Sequence, residues 1–341
     1  MRPRSLALAL AVVATSAVAC TAVRGDDPDA RALVRLAAAA RPPAGSNWPL
    51  PPSKLEHDFV HHHFKVLSHE PIGAGVTGAV KEKVRVSAHG DEFSVKWKRM
   101  PRGADGWNNA PRKEIAAYEI QKWFLDPQDY VVPTTMLRCT PLARFRAVEA
   151  DAEPTLPGTR CVLGTVTAWL EDVTVPGELY DEDRFFREPS YAYHMVSFNL
   201  LAYLIDHRDG RRGNFLVAKD EDNRRVYAVD NGIAFGAWLF NYFVRNWNDI
   251  RVPALRREAV ERLRRIGPAE LDALGVLVEM RADAAGVLQP VEPAANLDPE
   301  RGARVAPGRL QLGLTRDEIE DVAERLEELL EDVDEGEIAV Y

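Results

Sequence analysis

His207-Arg208-Asp209-Gly210-Arg211-Arg212-Gly213-Asn214, running directly into Phe215-Leu216-Val217, is the stretch on which the reading of this 341-residue chain turns. Upstream, Tyr191 to Ile205 has the apolar content of a buried helix, and Phe215 to Ala218 reads as a short strand. An acid and an amide five residues apart on one loop can divide two tasks. Asp209 can accept or orient the proton of an attacking hydroxyl, while Asn214 can offer an oxygen to a divalent cation. A charged surface turn is the other reading of the same residues.

Working downstream, Arg225 to Val229 reads as a second short strand, followed by Asp230-Asn231-Gly232, with Asp230 sixteen residues after Asn214. A carboxylate there suits a hard cation such as Mg²⁺ that also touches phosphates. Asn-Gly is equally the preferred pair of a type I′ hairpin, so the segment fits both readings. Working upstream, Gly73, Gly75 and Gly78 stand in Ile72-Gly-Ala-Gly-Val-Thr-Gly-Ala-Val80, a G-x-G-x-x-G-x-V pattern between two strands within Phe64–Val86. A strand-turn-strand setting favours a lid over a triphosphate above a dinucleotide fold, and an ordinary glycine hairpin is the alternative. Glu92 to Lys98 reads as a third strand. Lys96 lies in it 18 residues past Gly78, and Glu114 follows after another 18 at the start of a helix over Arg112–Leu125. A lysine amid apolar neighbours needs a partner; the spacing predicts the pair Lys96–Glu114. Lys98 shares the strand face of Lys96, and Glu119 is the rival to Glu114. Val131 to Leu142 and Cys161 to Leu170 read as two more strands, and the chain after Phe235 as helical. Strands with one helix, then mainly helices, predict an α+β protein in two lobes.

Glycine turn, Lys, Glu, Asp/Asn loop and Asp occur in the order a phosphotransferase needs, across residues 66–236. The set resembles the protein-kinase-like superfamily, and its atypical branch most closely. Ala228-Val-Asp-Asn-Gly-Ile-Ala-Phe235 is similar to type II phosphatidylinositol 4-kinases and to secretory-pathway kinases, and Glu114-Ile-Ala-Ala-Tyr118 with Val132-Pro133 is similar to their helix and strand entry. The resemblance implies ATP and Mg²⁺ as cofactors. It implies that Gly73, Gly75 and Gly78 cover phosphates, that Lys96 pairs with Glu114, that Asp209 is the catalytic acid/base, and that Asn214 and Asp230 bind metal. Trp169-Leu170-Glu171-Asp172 would be the hinge holding adenine, with Glu171 among the nucleotide contacts. It divides the chain into an N-lobe at 54–172 and a C-lobe at 173–341. No Ala-Pro-Glu segment follows Asp230, so the acceptor (protein, lipid or sugar) stays open. So do two other classes, a nucleotide-binding pseudokinase acting as a binding module and a structural lipoprotein.

The first nineteen residues read as a secretory signal: Arg2 and Arg4, an apolar run from Leu6 to Val13, then Ala17-Val18-Ala19. Cys20 directly afterwards resembles the lipidated residue of bacterial lipoproteins, which predicts an exported, membrane-anchored or periplasmic/extracellular protein with a linker over residues 20–53. Export makes Cys139 and Cys161 a candidate disulfide across a loop containing Glu149 to Gly158. Composition excludes other classes. With 46% hydrophobic and 28% charged residues the chain is globular. Lys and Arg number 43 against 52 Asp and Glu, and residues 315–341 alone hold 12 acids and two arginines. The remainder is close to neutral, without the basic field nucleic-acid binding needs. Those terminal acids follow a capping box, Thr315-Arg-Asp-Glu318, and read as the solvated face of an amphipathic helix. His57, His61, His62, His63 and His69 form a loose cluster readable as a metal site or as a polar edge before the first strand. The segment Leu255–Ile266, rich in arginine, reads as an amphipathic helix with a basic face, solvated or turned to lipid head groups.

Overall fold

The computed structural model describes residues 47–73, 78–106, 109–236 and 247–341. The signal segment 1–19, Cys20, the linker as far as residue 46 and Gly75 lie outside the described residues. The chain is α+β with antiparallel sheets. Helix α1 (Pro52–His61) starts with proline at its first turn, where the missing N–H costs nothing. Strands β1 (Phe64–Pro71), β2 (Val80–Val86) and β3 (Glu92–Arg99) follow, then α2 (Pro111–Gln121), β4 (Thr135–Pro141), the short α3 (Leu142–Phe145) and β5 (Cys161–Ala168). The strands form one sheet in the order β1-β2-β3-β5-β4, so β3 is its central strand. Val84, Val86, Phe93 and Val95 bury one face of the sheet, where Phe93 packs on Phe59 of α1 and Phe64 of β1, while α2 is itself buried nearly all round. A disulfide joins Cys139 of β4 to Cys161 of β5, with 5.5 Å between Cα atoms.

After β6 (Val173–Thr174) come α4 (Glu182–Arg187) and α5 (Pro189–Leu204), the latter buried on every face, as its apolar run requires. β7 (Phe215–Ala218) and β8 (Val226–Ala228) then pair in a small sheet ordered β6-β7-β8. The C-terminal third corrects the expectation of an all-helical tail. Besides α6 (Arg257–Leu263), α7 (Pro268–Ala273) and α8 (Arg316–Glu335), it contains β9 (Val278–Ala282), β10 (Leu288–Val291), β11 (Ala303–Ala306) and β12 (Arg309–Leu312). These form a four-stranded sheet ordered β10-β9-β12-β11. Met280, Leu288, Leu310 and Leu312 pack with Ile115, Leu137, Cys161 and Leu163 in one buried cluster, so this sheet rests on the first one. The main core likewise runs across the boundary expected at 172/173.

The expected start near Lys54 is also too late. Trp48 is 6% exposed and packs edge-on against Tyr227 at 5.0 Å, which draws the end of the proline-rich segment into the core. Two local expectations rest on visible contacts. Thr315 and Glu318 exchange the two hydrogen bonds of a capping box at the start of α8. The arginines of Leu255–Ile266 are largely engaged: Arg262 with Asp126 and Glu258, Arg264 with Asp334 of α8, and Arg256 with Tyr193 and Ser197. Among the described residues no helix is long and apolar enough to cross a membrane.

Candidate functional site

A cavity of about 370 Å³ opens between the first sheet and the small β6-β7-β8 sheet. Its walls are apolar: Ile72 and Ala79 from the β1–β2 hairpin, Val132 before β4, Leu216 of β7, and Ala228 and Val229 at the end of β8. Its charged lining residues, Lys96, Glu114 and Asp230, meet at one end, and Asn214 is also in the lining. A moderately sized, mostly apolar cleft with few convergent polar groups is the usual form of a small-molecule site.

At that end the charges interlock. Lys98 Nζ, 1% exposed, donates to Glu114 Oε1 at 3.2 Å and to Asp230 Oδ1 at 2.8 Å. Glu114 Oε2 accepts the backbone N–H of Asn231 at 3.1 Å, which ties α2 to the segment after β8. Lys96 Nζ lies 3.5 Å from Asp230 Oδ1. The partner of Glu114 is therefore Lys98, a correction to the pair predicted from spacing. Both lysines face the cleft side of β3, but the first turn of α2 sits over the end of the strand, nearest Lys98. Glu119 pairs instead with Lys122. Burial alone would raise the Asp230 carboxyl, yet Lys96 and Lys98 outweigh it and hold the group well below the usual carboxylate range. Burial would correspondingly lower Lys98, and Glu114 and Asp230 raise it. Both ions are thus fixed in their charged forms.

The loop 205–214 approaches from the other side. Asp209 is buried, and both its oxygens accept from Arg211, at 2.7 and 2.6 Å. Asn214 donates its amide N–H to Asp209 O at 3.3 Å and accepts Val229 N–H on its backbone oxygen at 2.8 Å. That leaves the side-chain oxygen of Asn214 as the atom it could offer to a cation. His207 packs on Phe215 with 5.2 Å between ring centroids. Burial pushes its imidazole down to about 4, so it is neutral near pH 7. Asp206, fully buried, accepts from Arg208, Asn248 and Gly236 N–H, and pairs with Arg325 of α8. Asp206, Asp230 and Phe235 have φ of 46°, 62° and 58°. Left-handed backbone is costly for such residues and gathers at functional sites.

The structure thus brings Lys96, Glu114, Asn214 and Asp230 to one cavity; Asp209 is not in its lining and is joined to it through the Asn214 amide. It does not place every predicted contact there. Gly73 and Gly78 stand on either side of residues 74–77, which lie outside the described residues; Gly78 has φ 66°, and neither glycine lines the cavity. Glu171 is a second correction. Its N–H donates to Asn47 O and its carbonyl accepts from Asn47 Nδ2, 2.8 and 2.7 Å, and its side chain is exposed. Trp169 and Leu170 line the cavity in its place. Two contributors, Arg211 and Asn47, were missed, and a third, Lys98, stood only as the rival to Lys96. Lys98 was legible as the second lysine of the strand face. Arg211 was visible only as one more charge of the loop, and Asn47 was hidden among prolines. No family model matches the chain, and no curated protein sequence matches it significantly.

Proposed function

We propose that the cleft belongs to a two-lobed, protein-kinase-like fold and binds ATP with Mg²⁺ for transfer of the γ-phosphoryl group to a hydroxyl. The observation that carries this reading is the buried Glu114–Lys98–Asp230 chain, closed onto the same cavity as Asn214. The sheet order β1-β2-β3-β5-β4 with its one long helix between β3 and β4 supports it. The donor set fits the cation. An ionised carboxylate, about one-third exposed to the cleft, and an amide oxygen are hard ligands of the kind Mg²⁺ takes. When bound, the ion would neutralise phosphate charge. Lys96 and Lys98 hold negative charge at the polar end, the apolar walls exclude water around a flat base, and Asp209 orients the acceptor hydroxyl and takes its proton. The acceptor is a protein, lipid or sugar. The reading extends to export and anchoring through Cys20, which the Cys139–Cys161 bridge suits.

Incubation with ATP labelled on the γ-phosphate, followed by a search for labelled products, tests the activity. Asp209→Asn should lower transfer by ~10²-fold or more, the scale of a lost general base, with ATP affinity nearly unchanged. Equal transfer by the two proteins would overturn the role of Asp209. One observation favours a second reading: Arg211 occupies both oxygens of Asp209. A chain that keeps that pair closed with nucleotide present is a binding module, and it would bind ATP without labelling anything.

A further inference from the structure

Away from the cleft, α1 and the turn between β2 and β3 gather imidazoles around one carboxylate. Asp58 is 1% exposed, yet lies on the last turns of α1 beneath three histidines. His62 Nδ1 and His89 Nε2 stand 2.9 and 3.1 Å from its Oδ1, and His57 Nδ1 stands 3.9 Å from the same atom. The ligating atoms of His57, Asp58 and His62 all lie within 4.8 Å of one another. Four ligands bound tetrahedrally at 2.0–2.1 Å are separated by about 3.3 Å; His62 and His89 already stand at such a distance from Asp58 Oδ1, and His57 is within a small side-chain movement of it. The sequence cluster is redistributed in the process: His69 leaves it for Glu82, at 2.9 Å, while Asp58 and His89 join.

The outer contacts have the form that orients metal ligands. His89 Nδ1 faces Asp91 at 3.1 Å, which fixes the ring with Nε2 turned inward. Lys54 Nζ donates to the other oxygen, Asp58 Oδ2, at 3.2 Å, and lies 3.1 Å from Asp91. It also lies 3.0 Å from His89 Nε2 and supplies the positive charge this group of acceptors requires. Lys54 is more than one-third exposed and can keep its two carboxylates while giving up that imidazole.

We propose that His57, Asp58, His62 and His89 form a Zn²⁺ site that fastens α1 to the β2–β3 turn. Three imidazole nitrogens gathered around one carboxylate oxygen match the borderline-soft Zn²⁺ rather than Mg²⁺ or Ca²⁺, which take oxygen ligands. The site is separate from the cleft and independent of any phosphotransferase activity.

Calorimetric titration of the purified, chelator-treated chain with Zn²⁺, in excess Mg²⁺ to occupy oxygen sites, tests the proposal. One Zn²⁺ per chain is expected, with a rise in melting temperature. Co²⁺ in its place should give the intense visible absorption of tetrahedral coordination. His57→Ala and His62→Ala each alter a surface-accessible ring, so folding is retained, and each should weaken Zn²⁺ binding about tenfold or more. His69→Ala should leave it unchanged. Absence of saturable binding, binding indifferent to His57 and His62, or an octahedral Co²⁺ spectrum would overturn the site and leave the cluster as a polar cap held by Lys54.

Discussion

Lys98 is the residue on which the cleft depends most. It is an almost wholly buried cation between two carboxylates, and removing one member of such a group leaves uncompensated charge in a poorly solvated place. Lys98→Ala should cost about 3 kcal/mol or more, read from the denaturant midpoint at unchanged slope, and should also abolish nucleotide binding. Lys96→Ala should cost under ~1 kcal/mol, as for a partly exposed pair, while weakening nucleotide binding. The opposite ranking in stability would contradict the assignment of Lys98. Sequence could narrow the choice only to two lysines. Alternation along a strand puts both on one face, and where α2 crosses that face is a tertiary fact.

At the scale of elements, the loop between α5 and β7 was legible because its polar residues stand out between two apolar segments, and a soluble chain puts such a cluster inside only for a reason. His207 gives this loop a pH signature. Its folded value of about 4 lies below the ordinary 6.5, so between these two values the unfolded chain binds more protons. Its contribution is complete above pH 6.5, falls as pH drops towards 4, and is fully lost below that. A melting-temperature series over this window should show the decline, and His207→Phe should flatten it; an equally steep series for the variant would contradict the assignment. The β9–β12 sheet was less legible. Its strands have four or five residues and carry Glu279, Arg309 and Gln311, which look solvent-facing in sequence. In the fold, Glu279 is fully buried and is satisfied by Arg309, Arg281 and Gln311 and by Ala294 N–H. The Pro307-Gly308 turn, with Gly308 at φ 68°, was the signal for a hairpin there.

Across the whole molecule, the C-terminal region holds the cleft together from outside. Glu318, at the N-terminus of α8, pairs with Arg112 and Lys113 of α2. Lys113 also donates to the carbonyls of Ala234 and Phe235, 2.8 and 3.2 Å away. Arg112 lies against Gly302, where a Cβ would collide with its guanidinium. The turn of α2 that carries Glu114 is therefore clamped both to the segment after Asp230 and to α8. Glu318→Ala leaves two buried cations short of a partner and removes half of a capping box. It should destabilise by about 3 kcal/mol and loosen the Glu114–Lys98 pair, so nucleotide affinity should fall although residue 318 does not line the cavity. Unchanged affinity in a folded variant would show that the clamp has no bearing on the site. None of this was legible from spacing, since the partners are between 121 and 206 residues apart.

The most direct test is the thermal unfolding of the purified chain with ATP in the presence and absence of Mg²⁺, beside the same series for Asp230→Ala. Ligand at ~100 times its dissociation constant adds about 2.7 kcal/mol. A saturable, Mg²⁺-dependent rise of that order is expected in the unmutated chain, and its loss in Asp230→Ala. No nucleotide-dependent rise with any divalent cation, or the same rise in both proteins, would contradict it.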